Sequence, residues 1–384
     1  MIHIEYEGPL PAFQGRRMLT QDLQEYLSGT VKQIKKRSWE DWNLMIGPDL
    51  LFDARGLSLI VDALKKYRGH ADQLEFKLET TASIGAQYYH HNFHYQDEIV
   101  DLPVSATRSK SIGNGLSESI TLTLPKMDYF FDAPASLAKK EDVHIPLALL
   151  LPHSCEHDFY FANRIALFSH LATAAKKSFG AWWQAMNMAG IKSYKKAVSL
   201  AYKDVHKKAY VHPTAVVEGS VIGEGAHIGA HCVVRYSVIG KNVNLHDGAK
   251  VEYSVVDDQS WLMHDLVLYH SVTETEVFLI HGPYQFSYFQ HTSAAFATIM
   301  MDYKPDERPI RIATPNGVVD VGSRFMGALL EEKSKVLGGT MTAPGITIFE
   351  GQHIGPDASQ IVKAKDLKRE SKSSESLSDL EQTA

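Results

Sequence analysis

"VVEGSVIGEGAHIGAHCVVRYSVIGKNVNLHDGAKV", residues 216–251, repeats an aliphatic side chain at an interval that suits neither a helix nor a hairpin strand. Val216, Ile222, Ile228 and Val234 stand six apart; after one five-residue step Ile239, Leu245 and Val251 continue, and Leu262 and Leu268 rejoin after another. Gly223, Gly229 and Gly240 each follow an aliphatic member directly, and the small or medium-sized Ala226, Cys232, Val243 and Ala249 sit four positions beyond one. A helix would show spacings of three and four, and an exposed strand would alternate by two. A six-residue unit suits a short parallel strand plus a tight turn, with three units closing one triangular coil. The aliphatic side chain then points inward, and glycine is expected to turn the corner. An ordinary β-sandwich with chance spacing is the alternative, but Leu330, Val336, Thr342, Ile348 and Ile354 recover the same interval downstream.

Around this repeat the chain has the makings of two domains. Its 384 residues suffice for two cores, and a hydrophobic share of 44% with 22% charged residues is ordinary for a globular protein. Lysine and arginine number 39 against 45 acidic residues, so the formal charge is 39 − 45 = −6, which argues against a general nucleic-acid surface. Cys155 and Cys232 are too few for a disulfide framework or a cysteine zinc site, which suits a reducing compartment. The start lacks a basic segment followed by a long apolar one, and no run is apolar enough to span a bilayer. These features point to the cytoplasm and to no membrane association.

Before residue 178, strand-like alternation in "LEFKLET" and "SITLTLP" mixes with helical periodicity in "QDLQEYLSGTVKQIKKR", "GLSLIVDALKKY" and "FYFANRIALFSHLATAAKK", so residues 1–177 read as an α/β domain. Residues 178–208 are expected to form a helical connector, and 209–360 the coil of six-residue units. Residues 361–384 are rich in Lys, Ser and Glu, a composition that predicts a disordered tail.

The six-residue pattern resembles the left-handed parallel β-helix of hexapeptide-repeat acyltransferases, an exception to the right-handed crossover rule. The order "HGPYQFSYFQHTSAAFATIMMDYKPDERPIRI…VGSRFMGALLEEKSKVLGGTMTAPGITIFEGQHIGPDA" is similar to the acetyltransferase half of bifunctional sugar-1-phosphate nucleotidylyltransferase/acetyltransferases. That family has a His-containing coil, glycine-rich coils, an Asn-Tyr-Asp-type loop and closing coils. "HDFYFANRIALFSHL" followed by "VHPTAVVEGSVIGEG" is similar to the family's joint between its two halves. The resemblance runs from about His157 to Ser359.

The chain departs from the family in three places. "YQFSYFQHTSAAFATIM" stands where the family has glycine-rich coils, and its aromatics would narrow or reshape a cleft between subunits. "MDYKPD" keeps Asp302, Tyr303 and Lys304 but has Met301 where the family often has Asn. A nucleotidylyltransferase opens on a glycine-rich loop with a nearby Arg for triphosphate and needs acidic residues for magnesium. Arg16 and Arg17 here follow no such loop, and the "GNG" of residues 113–115 is a lone motif, so the N-terminal half reads as degenerate.

Acetyl transfer requires a base for the attacking amine or hydroxyl, and histidine suits it. The resemblance places His281 in that role, allowing one short gap, with His291, His270 and His264 as runners-up; a structural place on a turn is the alternative for each. Tyr303, Lys304 and Arg308 fall in the loop, where they would bind a phosphate-bearing acceptor or stand as solvated loop residues. "YHHNFHYQDE" offers His90, His91, His94 and Asp97 to a metal, and "PHSCEHDFYFAN" sets Cys155 near His153 and His157, but core or surface roles explain both more simply, and no metal is expected.

The reading that results is a transferase moving an acyl group from acetyl-CoA or another acyl-CoA to a sugar-phosphate or nucleotide-sugar-like acceptor. A non-catalytic scaffold derived from such a transferase, with a ligand pocket of Tyr284, Phe286, Tyr288 and Phe289, is the first alternative. A sugar-1-phosphate nucleotidylyltransferase is the second. A homotrimer joined through the coils is expected, because Phe286, Tyr288, Phe289 and Phe296 cannot all turn inward and an exposed patch calls for cover.

Overall fold

The computed structural model describes residues 3–6, 42–47, 49–80, 93–94, 98–108, 115–130, 142–153, 155–185, 201–304, 308–314 and 317–357. The N-terminal half comprises β1 (His3–Tyr6), β2 (Trp42–Ile46), β3 (Leu50–Phe52), α1 (Ala54–Lys66), β4 (Gln73–Glu79), β5 (Phe93–His94), β6 (Ile99–Arg108), β7 (Ser117–Thr123), β8 (Lys126–Phe130), β9 (Asp142–Pro146), β10 (Leu150–Pro152), α2 (Glu156–Lys177) and α3 (Phe179–Ala185). Its main sheet runs β1-β2-β6-β4-β7, with β5 also on β6; β1 lies parallel to β2 and β4 to β7, whereas β6 is antiparallel to both neighbours. Along β4 the buried Leu74, Phe76 and Leu78 alternate with exposed Gln73, Glu75 and Glu79, the signature of a sheet covered on one face.

Helix α1 begins where the Asp53 side chain accepts the Gly56 amide at 2.7 Å and the Leu149 amide at 3.1 Å. A Cβ on Gly56 would stand 2.1 Å from the Leu149 carbonyl, so only glycine lets this turn sit against β10. Leu57, Ile60, Val61 and Leu64 face the core at helical spacing. Helix α2 is different in kind. Tyr160, Phe161, Ile165, Ala166, Leu167 and Leu171 are buried around most of its circumference, because it lies between β9 and β10 on one side and the Val255–Val256 and Val272–Thr273 strands of the coil on the other.

The C-terminal half is a parallel β-solenoid with three faces. Pairing begins at Lys203–Val205 against Ser220–Ile222, ahead of the expected start at 209. The first face carries strands from Lys203–Val205 to Thr347–Ile348, the second from Tyr210–Val211 to His353–Ile354, and the third from Val216–Glu218 to Tyr284–Gln285. The pair Ile299–Met300 and Met341–Thr342 is a separate two-stranded sheet near the C-terminal end. Each early coil takes 17 residues, so Val221, Val238, Val255 and Val272 lie in register. Ile222, Ile228, Val234, Ile239, Leu245, Val251, Leu262 and Leu268 fill the interior together with the small Ala226, Cys232, Val243 and Ala249. The downstream Leu330, Val336 and Ile348 continue that core.

Two details of the sequence reading change. Val216 is 38% exposed and points outward; Val217 is the residue in register with Val234, so the count is displaced by one at its first member. The glycines that follow the aliphatic residues do not supply the left-handed corner. A Cβ on Gly223 would stand 2.7 Å from the Gly240 carbonyl carbon, so these glycines serve the close stacking of one coil on the next. Positive φ falls two residues later, at Gly225, His231, Asn242, Gly248, Gln259 and Asp265, and at Tyr236, Tyr253, His270 and Phe286 on the remaining corner.

The outward Val221, Val238, Val255, Val272 and Tyr288 of the first face share one continuous core with α2 and the N-terminal sheet. Among the described residues no helix is long and apolar enough to cross a membrane. Of the expected connector, α3 and residues 201–208 are described. His90, His91, Asp97 and the expected tail lie outside the described residues.

Candidate functional site

The coil from Phe278 to Met300 and the loop that follows it carry the residues singled out above. Tyr284 pairs with Leu268 only 16 residues upstream, whereas Leu268 pairs with Val251 at 17, so this coil is one residue short. His281 occupies the corner between the second and third faces, at φ +48, in the place taken by Asp265 in the previous coil. Its side chain is exposed. The other histidines differ in setting. His291 is half-buried, with Nδ1 2.8 Å from Thr275 Oγ1 and Nε2 3.8 Å from Glu276. His264 is exposed at the second-to-third corner, its ring 4.7 Å from that of His246. His270 is buried between Tyr253 and Phe286, with ring centroids 4.8 and 5.1 Å away and nearly parallel, and burial holds its imidazole well below the usual range.

After Met300 the chain leaves the coil. It forms the hairpin Arg311–Thr314 with Gly317–Asp320, buries Ile310, Ile312, Val321 and Met326, and returns at Leu329. Tyr303 bridges to Phe325 and stacks on it at 5.3 Å. Lys304 Nζ donates to the Pro309 carbonyl at 3.1 Å, and Arg308 is exposed. Burial pushes the Asp302 carboxyl up. His281 and the Tyr303–Lys304 segment therefore stand at opposite edges of the third face; within one chain the fold does not bring them together.

The aromatic residues proved to be filling. Tyr284 and Phe289 point into the coil, Tyr288 lies under the N-terminal half, and Phe286 is covered by His270 and Phe325. These four rings are buried, whereas Phe296 is half-buried, against Phe278. Cys155 is the buried N-cap of α2, and its thiol is pushed up to about 12 by burial first and Asp158 next, which disfavours the reactive thiolate. His153 packs its ring 4.4 Å from Phe159. No group of side chains among the described residues is arranged to hold a metal ion.

Three arrangements escaped the reading by six and become visible at a spacing of 17. Ser220, Ser237, Ser254 and Ser271, with Ser287 one short coil later, form a buried ladder in which each hydroxyl donates to a carbonyl two residues back and accepts an amide of the next coil. Asp257, Glu274 and Gln290 stack in consecutive coils beneath the start of α2, where Gln290 Nε2 donates to Glu156 at 2.6 Å. Glu218, Arg235 and Glu252 form an ion-paired column on the third face. In the N-terminal half a cleft of about 500 Å³ opens where β6 bulges at Pro103 opposite Phe76, lined by Met45, Gly47, Lys77, Asp101 and Ser105 among others.

Several solved structures are similar to parts of the chain. A mutant of GDP-perosamine N-acetyl transferase from Caulobacter crescentus, solved with CoA and GDP-perosamine, is 9% identical, with 42% of this chain and 57% of that chain covered and a TM-score of 0.21. The chain thus spans little more than half of that relative. A hexapeptide transferase family protein from Anaplasma phagocytophilum is 14% identical over 40% of this chain and 74% of its own, with a TM-score of 0.18. The acetyltransferase domain of PglB from Neisseria gonorrhoeae is 13% identical over 48% and 74%, with a TM-score of 0.19. No match was found among curated proteins. Residues 199–267 match the family described as GlmU-like, C-terminal hexapeptide, and the first coils of the solenoid, from Lys203 on, fall within that match. Over those first coils the chain is thus similar to a GlmU-like C-terminal hexapeptide segment, and it is folded there as a parallel β-solenoid.

Proposed function

We propose that the protein transfers an acyl group from a CoA thioester to a sugar-phosphate or nucleotide-sugar-like acceptor, with His281 as general base and Tyr303, Lys304 and Arg308 on the acceptor. The observation that carries this reading is the placement of an exposed corner histidine in the coil immediately before a loop that leaves the solenoid. An imidazole there is open to solvent and to an incoming substrate, and loss of the nucleophile's proton during attack on the thioester is a task it can perform. The loop supplies a cation and a hydroxyl suited to a phosphate-bearing acceptor.

Because His281 and the loop occupy opposite edges of the third face, the reading requires two copies. In a closed ring of three chains the corner of one copy faces the loop edge of the next, and each site draws its base and its acceptor ligands from different chains. Purified protein given acetyl-CoA and a panel of amino-sugar phosphates should release free thiol. His281→Ala should lower that rate by about a hundredfold or more, the lower end of a general-base contribution. Undiminished turnover in the variant removes His281 from the role. No binding of acetyl-CoA by calorimetry, with no thiol release, favours instead a scaffold without catalysis.

A further inference from the structure

The corner between the third and first faces carries a column of rings that crosses from the first coils of the solenoid to the loop. Tyr236, Tyr253, His270 and Phe286 stack in successive coils with centroid separations of 5.2, 4.8 and 5.1 Å. Phe325 continues the column at 5.1 Å from Phe286, and Tyr303 ends it at 5.3 Å from Phe325. The last two rings belong to the two ends of the loop. Their backbones are tied at the same place: Met326 donates to the Asp302 carbonyl at 2.9 Å, and Gly327 to the Phe286 carbonyl at 2.9 Å. Whatever fixes Phe286 therefore fixes both ends of the loop.

A residue of the N-terminal half reaches this column. Arg164 of α2 is only 5% exposed, and its guanidinium lies 5.7 Å over the Phe286 ring and 5.4 Å over the Tyr160 ring. One terminal nitrogen stands 3.2 Å from His270 Nδ1, and the other donates to the Tyr160 hydroxyl at 3.3 Å. Tyr160 in turn donates to the His270 carbonyl at 2.9 Å. Arginine keeps its protons, so Nδ1 of His270 must be the acceptor and the ring is neutral with its proton on Nε2. The fork thus sets the plane of His270, and the neighbouring rings lie within a few degrees of that plane.

We infer that Arg164 is a positioning residue for the 301–328 loop: acting through His270 and Phe286, a helix of the N-terminal half sets where Tyr303 and Lys304 stand. The inference rests on the proposed function only in giving those two residues a ligand. The positioning itself is measured without substrate, so the two can fail separately.

The test is hydrogen exchange on the full chain, followed in segment 318–328 and, as a control, in coils 240–262. In Arg164→Gln the loop segment should exchange roughly tenfold faster or more, in keeping with loss of hydrogen bonds to a charged donor, while the control is unchanged. Arg164→Lys, which keeps the charge but not the fork, should fall between the variant and the native protein. Phe325→Leu, which breaks the column from the loop side, should release the same segment, and the double variant should exchange more slowly than the product of the single effects requires. Native-like protection of the loop in a folded Arg164→Gln protein overturns the inference. So does a uniform rise across loop and control, or full multiplicativity in the double variant. Should Arg164→Gln fail to fold, Phe325→Leu alone decides: release of 318–328 with 156–177 unchanged supports the inference, and an unchanged loop overturns it. A released loop with undiminished thiol release from acetyl-CoA supports the positioning and counts against Tyr303 and Lys304 as acceptor ligands.

Discussion

Replacing Asp257 by Asn should stabilise the protein, and the gain should grow with pH. Asp257 is 5% exposed on the edge of the first face; its Oδ1 accepts the Asp258 amide at 2.9 Å. Glu274 stands beside it in the next coil, with its oxygens engaged by the Tyr288 hydroxyl and the His291 amide. Burial first, and then the negative charges of Asp258 and Glu274, push the Asp257 carboxyl from 3.8 up to about 8. Gln290 follows Glu274 in the next coil and donates to Glu156 of α2, and among the described residues no cation acts on Asp257.

The sign follows from proton binding. Between the two values the folded chain holds a proton that the unfolded chain releases, so stability from this group is complete below about pH 4 and is lost as pH rises toward 8. At 1.36 kcal/mol per unit, the loss between pH 4 and 7 is on the order of 4 kcal/mol. Asparagine keeps an acceptor for the Asp258 amide and cannot ionise, so it escapes the loss. Urea unfolding of both proteins from pH 4.5 to 9, with equal m values verified at each pH, measures the difference directly. Its growth should level off above pH 8. A constant offset between the two curves would show that Asp257 ionises in the folded protein without cost, and would refute the reasoning.

Three further outcomes are expected. Ser254→Ala removes the acceptor of the Ser271 amide, 3.1 Å away and buried, and should cost about 2 kcal/mol in the same unfolding assay. Arg235→Ala breaks two ion pairs, but Arg235 is 42% exposed, so the change should stay under about 1 kcal/mol and shrink further in high salt. In the proposed ring of three, light scattering should give roughly three chain masses, and Trp261→Glu, which sets a charge on the exposed second face, should lower the mass while circular dichroism is unchanged.

The interior of the solenoid was legible because each short strand offers a single inward position and the narrow coil admits an aliphatic side chain there. Ile222, Ile228, Val234 and Ile239 could hardly be anything else. The corners were not legible, because left-handed backbone in this coil does not demand glycine. The amides of Tyr236, Asn242, Tyr253 and Gln259 each donate to a carbonyl of the previous coil at 2.8–3.0 Å, which offsets a conformational cost of about 1–2 kcal/mol per residue. The resulting rows run at a spacing of 17, which a count by six does not sample.

The aromatic residues show a different limit. "YQFSYF" reads locally as more ring than one coil can enclose, and that much is sound: Tyr284 and Phe289 go in, while Phe286 and Tyr288 do not. What covers the outward rings comes from more than a hundred residues upstream in α2 and about forty downstream at Phe325, and no local pattern announces either. This changes the argument for assembly. With the first face occupied by the chain's own N-terminal half, any ring of copies must be built from the second and third faces. The outward rows of those faces are unlike: Tyr210, His227, Asn244, Trp261 and Phe278 on one, and Val216, Val233, Lys250 and Val267 beside the Glu218–Arg235–Glu252 column on the other. Two unlike faces meeting head to tail close into a ring when the rotation between them is a whole fraction of a turn, and one third of a turn gives the ring of three proposed above. In the proposed ring of three the His281 corner, which divides the two faces, would stand at every junction.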